Sequence, residues 1–403
     1  MIIKNFSYIN DNRLKIKYNG IGLSFTKIGG ERMYITDPIY GPISIRDRDI
    51  LRLIDTKAFQ RLANIKQQGH TYFLHENAIH TREEHSIGVY VLVNKVIEHL
   101  TEIGDIHLSK YERKLVSTVA LLHDVGHGPY SHCFQQISGE DHGEWTVRII
   151  QEDEEIRTIL NQTHRLLDDV TKALTEDGVF PIIDELLFNS LGMDQLDFWN
   201  RDLYYSSLEL EGLQIEELIA NMRLIDDKLV IEESGIPFIE QLMKMKEGLY
   251  NNGFGHPFVI GKDILLQTIL KMIEEKNLSF YTPELQNFFH KGEKLEVEDF
   301  LPLQDEMILN EIKYFAKSED VQLATLIHLY FSEAKSLSFE KGLEGDFKKE
   351  NSTLAVITEK KAYSSYVGGI YVYSEGQLED ILEKSNFIQE IVKLPKKEYA
   401  YSI

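Results

Sequence analysis

Apolar residues recur every three or four positions along most of this chain, and only its two ends break that rhythm. Residues 13–45 read as short strands and turns. LKIKYNGIGLSF carries the hairpin signal Asn19-Gly20, and turn-rich DPIYGPI from Asp37 closes the section. From Arg48 to about Leu210 helical spacing dominates. REEHSIGVYVLVNKVIEHL (82–100) and YERKLVSTVALLHDVGH (111–127) are predicted helices, the second stopped by Gly-His-Gly-Pro at 126–129. IDELLFNSLGMDQLDFWNRDLYYSS (183–207) reads as helix with a break near Gly192. Residues 213–300 predict further helices, among them IEELIANMRLI and IPFIEQLMKMKEGLY. From about 303 the texture changes. A helix in DVQLATLIHLYFSEA precedes strand-like TLAVITE, GGIYVYS and KEYAYSI, with helical QLEDILEKSNFIQEIVKL between the last two. The expectation is a mainly α fold in three parts: an N-terminal strand and turn segment (1–47), a helical domain (48–300) and a small α/β domain (301–403).

Composition narrows the function classes. The chain has 403 residues, 43% hydrophobic and 27% charged, which reads as soluble and globular. No run of eighteen apolar residues exists, so no membrane span is expected. The segment MIIKNFSYINDNRLK lacks the layout of a signal peptide, and a cytoplasmic location is expected. Lys and Arg total 43 against 65 Asp and Glu, a net charge of −22. That balance argues against a nucleic-acid surface, whose affinity comes from neutralised phosphates. A small anionic ligand would need local cations. The one cysteine, Cys133, fits a reducing compartment and reads as a small buried residue rather than a reactive thiol.

Candidate chemistry concentrates in LLHDVGHGPYSH (121–132). Ten of the 14 histidines fall between His70 and His142. His123 and Asp124 end an apolar helix, where an ionised carboxylate is costly without a partner. A divalent metal would be such a partner; a polar helix end is the plain alternative. Further ligands would have to come from elsewhere, with His85 in the preceding helix and Asp194 well downstream.

These stretches resemble the HD-domain phosphohydrolases, and most closely the deoxynucleoside triphosphate triphosphohydrolases. The matching segments are DPIYGPI (37–43), IDTKAFQRLANIKQQG (54–69), HTREEHSIGVY (80–90), LLHDVGHGPYSH (121–132), HGE (142–144) and MDQLDFWNRD (193–202), with a fainter echo in YNNGFGH (250–256). The likeness spans roughly residues 34–260. It implies an HD-domain helical core and four ligands, His85, His123, Asp124 and Asp194, around one divalent metal: Mn, Mg, Fe, Ni or Zn. Two imidazoles and two carboxylates make a neutral shell with M²⁺ and leave room for water and phosphate. By the same resemblance His132 is the general acid and His142 its activating or phosphate-contacting partner. His127 orients the turn or a ligand, and Arg82 contacts phosphate. Gln67 and Gln68 fall at base-contacting positions, Phe198 and Asp202 at sugar-contacting positions, and Lys246 at a phosphate-binding one. The implied reaction is attack of water on the α-phosphorus of a deoxynucleoside triphosphate, giving nucleoside and inorganic triphosphate.

The sequence also departs from the pattern. Gln195 stands where many members carry a basic residue, Phe198 replaces a Tyr, and Gln135 replaces an Asp three residues after the acid. Asp55 and Gln60 match a nucleotide effector site between subunits of a homo-oligomer, a tetramer in many relatives. An Arg expected there is Ala63, which leaves the effector open. Two alternatives stand beside the triphosphohydrolase reading. One is an HD phosphatase acting on nucleoside mono- or diphosphates or another phosphorylated metabolite. The other is a nucleotide-sensing module without turnover.

Overall fold

The structure is a computed structural model, and it describes residues 5–9, 13–17, 24–28, 32–139, 141–290, 295–332, 340–342, 366, 368–393 and 400–402. The fold is mainly helical, with strands at the N-terminus and a small sheet near the C-terminus. No helix among the described residues is long and apolar enough to cross a membrane.

Five strands open the chain as an antiparallel meander: β1 (Asn5–Ile9), β2 (Arg13–Lys17), β3 (Ser24–Ile28), β4 (Arg32–Asp37) and β5 (Gly41–Ile45). Asn19-Gly20 lies outside the described residues, between the antiparallel partners β2 and β3. Alternation along β4 buries Met33, Ile35 and Asp37 on one face and leaves Tyr34 and Thr36 outside. The third inward position is therefore a carboxylate. One Asp37 oxygen accepts from the backbone N–H groups of Ile39 (2.7 Å) and Tyr40 (2.9 Å), which folds DPIYG into its turn.

The central helix α1 (Arg82–Glu102) is buried along most of its length. Thr81 and Glu84 form a reciprocal capping box at its start, so the T-R-E-E sequence fixes where the helix begins. Helix α2 (Lys110–Leu122) has the same device in Ser109 and Glu112. It stops at Leu122, five residues before the predicted end. His123 is its C-cap, and the chain then runs through tight turns with Tyr130 and Ser131 at φ of 55° and 53°. Gly-Pro at 128–129 cannot continue a helix, so the break comes before the histidine-rich segment and frees its side chains. Two short helices follow, α3 (His132–Ser138) and α4 (His142–Glu152). A π-helical turn at Asp184–Phe188 and a break ending at Gly192 precede α5 (Met193–Ser206). Helices α6 (Ile236–Asn252), α7 (Pro257–Glu275) and α8 (Val321–Phe331) complete the elements that matter below.

Two helical expectations are corrected. IEELIANMRLI is helical only over Ile215–Ala220, and its tail is strand β6 (Met222–Ile225). Asp226 and Asp227, both at positive φ, turn it into β7 (Lys228–Glu232). QLED likewise pairs as a strand rather than starting a helix; helix follows at Ile381–Lys384 and Asn386–Lys393. With β8 (Glu340–Gly342), β9 (Tyr371–Ser374) and β10 (Gln377–Asp380) numbered in chain order, one sheet runs β10-β9-β7-β6. GGIYVYS thus supplies β9, and KEYAYSI supplies β11 (Ala400–Ser402) beside β8. TLAVITE lies outside the described residues.

Where α1 meets α5, Gly88 faces the Asp197 and Arg201 side chains. A Cβ there would lie 1.9 Å from the Asp197 carboxylate and 2.4 Å from the Arg201 guanidinium. Gly88→Ala should therefore destabilise the fold by about 1–3 kcal/mol or more, as overpacking does. Urea unfolding checks this, and an unchanged midpoint would refute the close approach.

Candidate metal centre

Four side chains from three elements converge beside this crossing. His85 sits in the first turn of α1, His123 and Asp124 at the end of α2, and Asp194 in the first turn of α5. His85 Nε2 lies 3.0 Å from Asp194 and 3.5 Å from Asp124. His123 Nε2 lies 3.5 Å from Asp194 and 3.6 Å from Asp124. Ligands held about 2.1 Å from a common centre are separated by roughly 3.0–3.4 Å. His85, His123 and Asp194 each offer a ligand atom within 4.8 Å of the other two, and Asp124 adjoins them while also grouping with His127 and His142.

The other ring nitrogens are tied back. His85 Nδ1–H donates to Asp197 (2.8 Å) and His123 Nδ1–H to the Ala120 carbonyl (3.0 Å). Both Nε2 atoms then face the cluster, where each neutral ring can offer its lone pair to an ion. His123 Nε2 is buried and has no hydrogen-bond partner. An unsatisfied buried imidazole nitrogen between two carboxylates is what a metal ligand looks like without its ion. The donor set of two nitrogens and two carboxylates fits a divalent cation.

The electrostatics lead to the same place. Burial alone would raise Asp124, but His123, His127 and Arg82 hold it well below the usual carboxylate range. Asp194 is likewise lowered, its burial outweighed by the His123 and His85 rings beside it. Burial pulls His85 down, yet Asp194 and Asp197 push it up to about 9. His123 is raised as well, since Asp124 and Asp194 outweigh its burial. The carboxylates are ionised and draw positive charge into a buried space.

A second ring of predicted residues adjoins the four. Arg82 donates to Asp124 (2.5 Å) and to the Ser131 hydroxyl (3.1 Å). His127 Nε2 is 3.4 Å from Asp124. The His127 ring stacks on His142 at 4.1 Å, and His132 stands edge-on to both at 5.3 Å. His132 and His142 share one partner, the Gln135 amide oxygen, at 3.4 and 3.2 Å. Packed surroundings, then the Arg82 and His142 charges, depress His132 to about 4, although the residue is exposed.

The remaining predicted residues divide. Lys246 donates to Gln195 (3.0 Å), the residue next to Asp194, and burial lowers it to about 8. The Phe198 ring stands edge-on to His85 at 6.5 Å. Gln67 and Gln68 are buried, and three of their amide atoms lack partners. Asp202 is wholly buried; one oxygen accepts from His80 at 2.7 Å and the other has no partner. Asp55 and Gln60 are exposed beyond this cluster, with Gln60 reaching Glu83 at 3.2 Å. Sequence reasoning missed Asp197, Arg201, Asp37 and Tyr40. Arg201 pairs with Asp197 (2.9 Å) and Asp37 (3.0 Å), and the Tyr40 hydroxyl donates to Asp197 (2.7 Å). The available signal was spacing: Asp194, Asp197 and Arg201 fall three and four apart on one helix face.

Comparison with known proteins agrees with this geometry. The model of the HD domain matches residues 82–197, which span all four ligands. The uncharacterized protein YwfO of Bacillus subtilis is 29% identical over 310 residues, covering 76% of this chain and 71% of its own. The deoxynucleoside triphosphate triphosphohydrolase SAMHD1 homolog of Dictyostelium discoideum is 28% identical over 244 residues, 57% of this chain and 47% of that one. A crystal structure of a phosphohydrolase from Bacteroides thetaiotaomicron shares the fold, with a TM-score of 0.81, 24% identity, and coverage of 92% of this chain and 99% of that one. Residues 82–197 thus match the HD domain, and the four candidate ligands all fall inside that segment.

Proposed function

We propose that this protein hydrolyses deoxynucleoside triphosphates at the α-phosphorus, releasing deoxynucleoside and inorganic triphosphate. The observation that carries the reading is the adjacency of the four-ligand cluster to Arg82, His127, His132 and His142. The nucleotide class is supported by the SAMHD1 relatives, whose name states that activity. A bound divalent ion would supply positive charge for the phosphoryl oxygens and an activated water. His85, His123, Asp124 and Asp194 would hold it. Arg82 binds a phosphate oxygen with a guanidinium already oriented by Asp124 and Ser131. His132 protonates the departing 5′ oxygen. An anionic phosphate beside it offsets the Arg82 and His142 charges, so substrate binding raises its affinity for the proton. Gln135 orients the ring without adding charge.

One observation favours a substrate with fewer phosphates. Gln195 stands beside Asp194 and occupies the Lys246 ammonium, so this edge carries one cation rather than two. Incubation with each dNTP and NTP, singly and mixed, with Mn or Mg separates the readings. Inorganic triphosphate supports the proposal; stepwise orthophosphate release supports the smaller substrate.

Three outcomes are expected. Asp124→Ala abolishes metal retention and activity together, measured by elemental analysis and turnover on the same sample. His132→Ala keeps the metal and slows kcat about 10²–10⁴-fold, the range for a lost general acid; an unchanged kcat rejects the assignment. Lys246 is cationic below its lowered pKa of about 8 and neutral above it. The free-enzyme profile of kcat/KM should therefore fall as pH rises through about 8. Lys246→Arg should remove that fall.

A further inference from the structure

A second constellation lies apart from the four ligands. His70 belongs to the short 3-10 turn Gly69–Phe73, Cys133 to α3 and Asp263 to α7. One His70 ring nitrogen, the Cys133 thiol and an Asp263 carboxylate oxygen all lie within 4.8 Å of one another. Cys133 and His70 are buried, and the Asp263 side chain keeps 25% exposure, so one edge of the cluster meets solvent.

We propose that His70, Cys133 and Asp263 form a binding site for a borderline-soft divalent cation of the zinc class. Ligands about 2.0–2.3 Å from a tetrahedral centre sit roughly 3.3–3.8 Å apart, a spacing that small side-chain shifts reach from a cluster within 4.8 Å. His70 Nδ1 and Asp263, 2.5 Å apart in the ion-free hydrogen bond, must open by about an ångström to admit the ion. His70 Nε2 lies 2.8 Å from the hydroxyl of buried Tyr330, which orients the ring as outer partners of metal-binding histidines do. The ring is also clamped by stacking on Tyr130 at 4.3 Å. Gln267, one turn along α7 from Asp263, approaches the sulfur at 3.9 Å. In the ion-free state the thiol donates to the Asp263 carbonyl at 3.5 Å and the imidazole to the Asp263 carboxylate. Binding releases the S–H proton, while the His70 proton moves from Nδ1 to Nε2, where it donates to Tyr330 and leaves the Nδ1 lone pair for the cation. The donor set separates the two centres chemically. Thiolate selects zinc-class ions, whereas two imidazoles and two carboxylates also accept Mn or Mg. The site would staple three distant segments, and Cys133 is the immediate neighbour of His132.

Cys133 is the only cysteine of the chain, which makes the test specific. Metal-stripped protein titrated with Co²⁺ should develop a near-ultraviolet thiolate-to-cobalt charge-transfer band. Cys133→Ser should lack it and still melt like the metal-free parent. Asp124→Ala, which disables the other centre, should keep it. His70→Ala and Asp263→Asn should each weaken it at least several-fold. Zn²⁺ should also protect the Cys133 thiol from a disulfide reagent. The proposal is overturned if no such band forms in excess Co²⁺, if it persists unchanged in both His70→Ala and Asp263→Asn, or if Zn²⁺ leaves thiol reactivity unaltered.

Discussion

The Arg201 guanidinium is fully buried between two carboxylates, Asp37 and Asp197, and the metal centre depends on that arrangement. A buried cation is tolerated only when paired and hydrogen-bonded, and breaking such a pair typically costs about 3–5 kcal/mol. Here the partners come from different parts of the chain. Asp37 ends β4, Asp197 and Arg201 lie one turn apart in α5, and Gly88 of α1 leaves the space they fill. Asp197 then has a carboxylate oxygen for His85 Nδ1–H, which turns His85 Nε2 toward Asp194 and Asp124. Burial would raise Asp197, but Arg201 and His85 hold it at about 2. The N-terminal sheet is thereby joined to the orientation of a candidate ligand, His85, through three consecutive polar contacts.

The chemistry of the centre was more legible in the sequence than the scaffold that orients it. That His123-Asp124 behind an apolar helix, His85 and Asp194 would cluster was readable, because the motifs that carry these residue types keep their order. Asp197 and Arg201 share the helix of Asp194 and had a visible three- and four-residue spacing. Their partner Asp37 did not, because pairing across 164 residues leaves no local trace. The same limit explains the two misread segments. MRLI and QLED are short, and a four-residue apolar or mixed run carries too little periodicity to separate helix from strand. Each became a strand through antiparallel partners, Lys228–Glu232 and Tyr371–Ser374. The early stop of α2 was misplaced for a different reason: apolar spacing continues through Val125, but Gly126 and Gly128-Pro129 end the backbone pattern sooner.

A strongly acidic chain proposed to bind a polyanion needs its charges in the right places. The net charge of −22 acts through solvent and is screened over roughly 8–10 Å at ordinary ionic strength. Inside the cluster the field is local and weakly screened. Asp124 and Asp194 are ionised there, so without a divalent ion they would meet an incoming phosphate with like charge. Arg82 offsets part of Asp124 and is itself partly neutralised by it. Lys246 is the next cation along, and it carries a full charge only below about pH 8. An ion held by the four ligands changes the balance, since two carboxylates and one M²⁺ sum to zero and leave Arg82 and Lys246 unopposed. On the proposed reading, phosphate affinity would therefore depend on the ion held by the four candidate ligands.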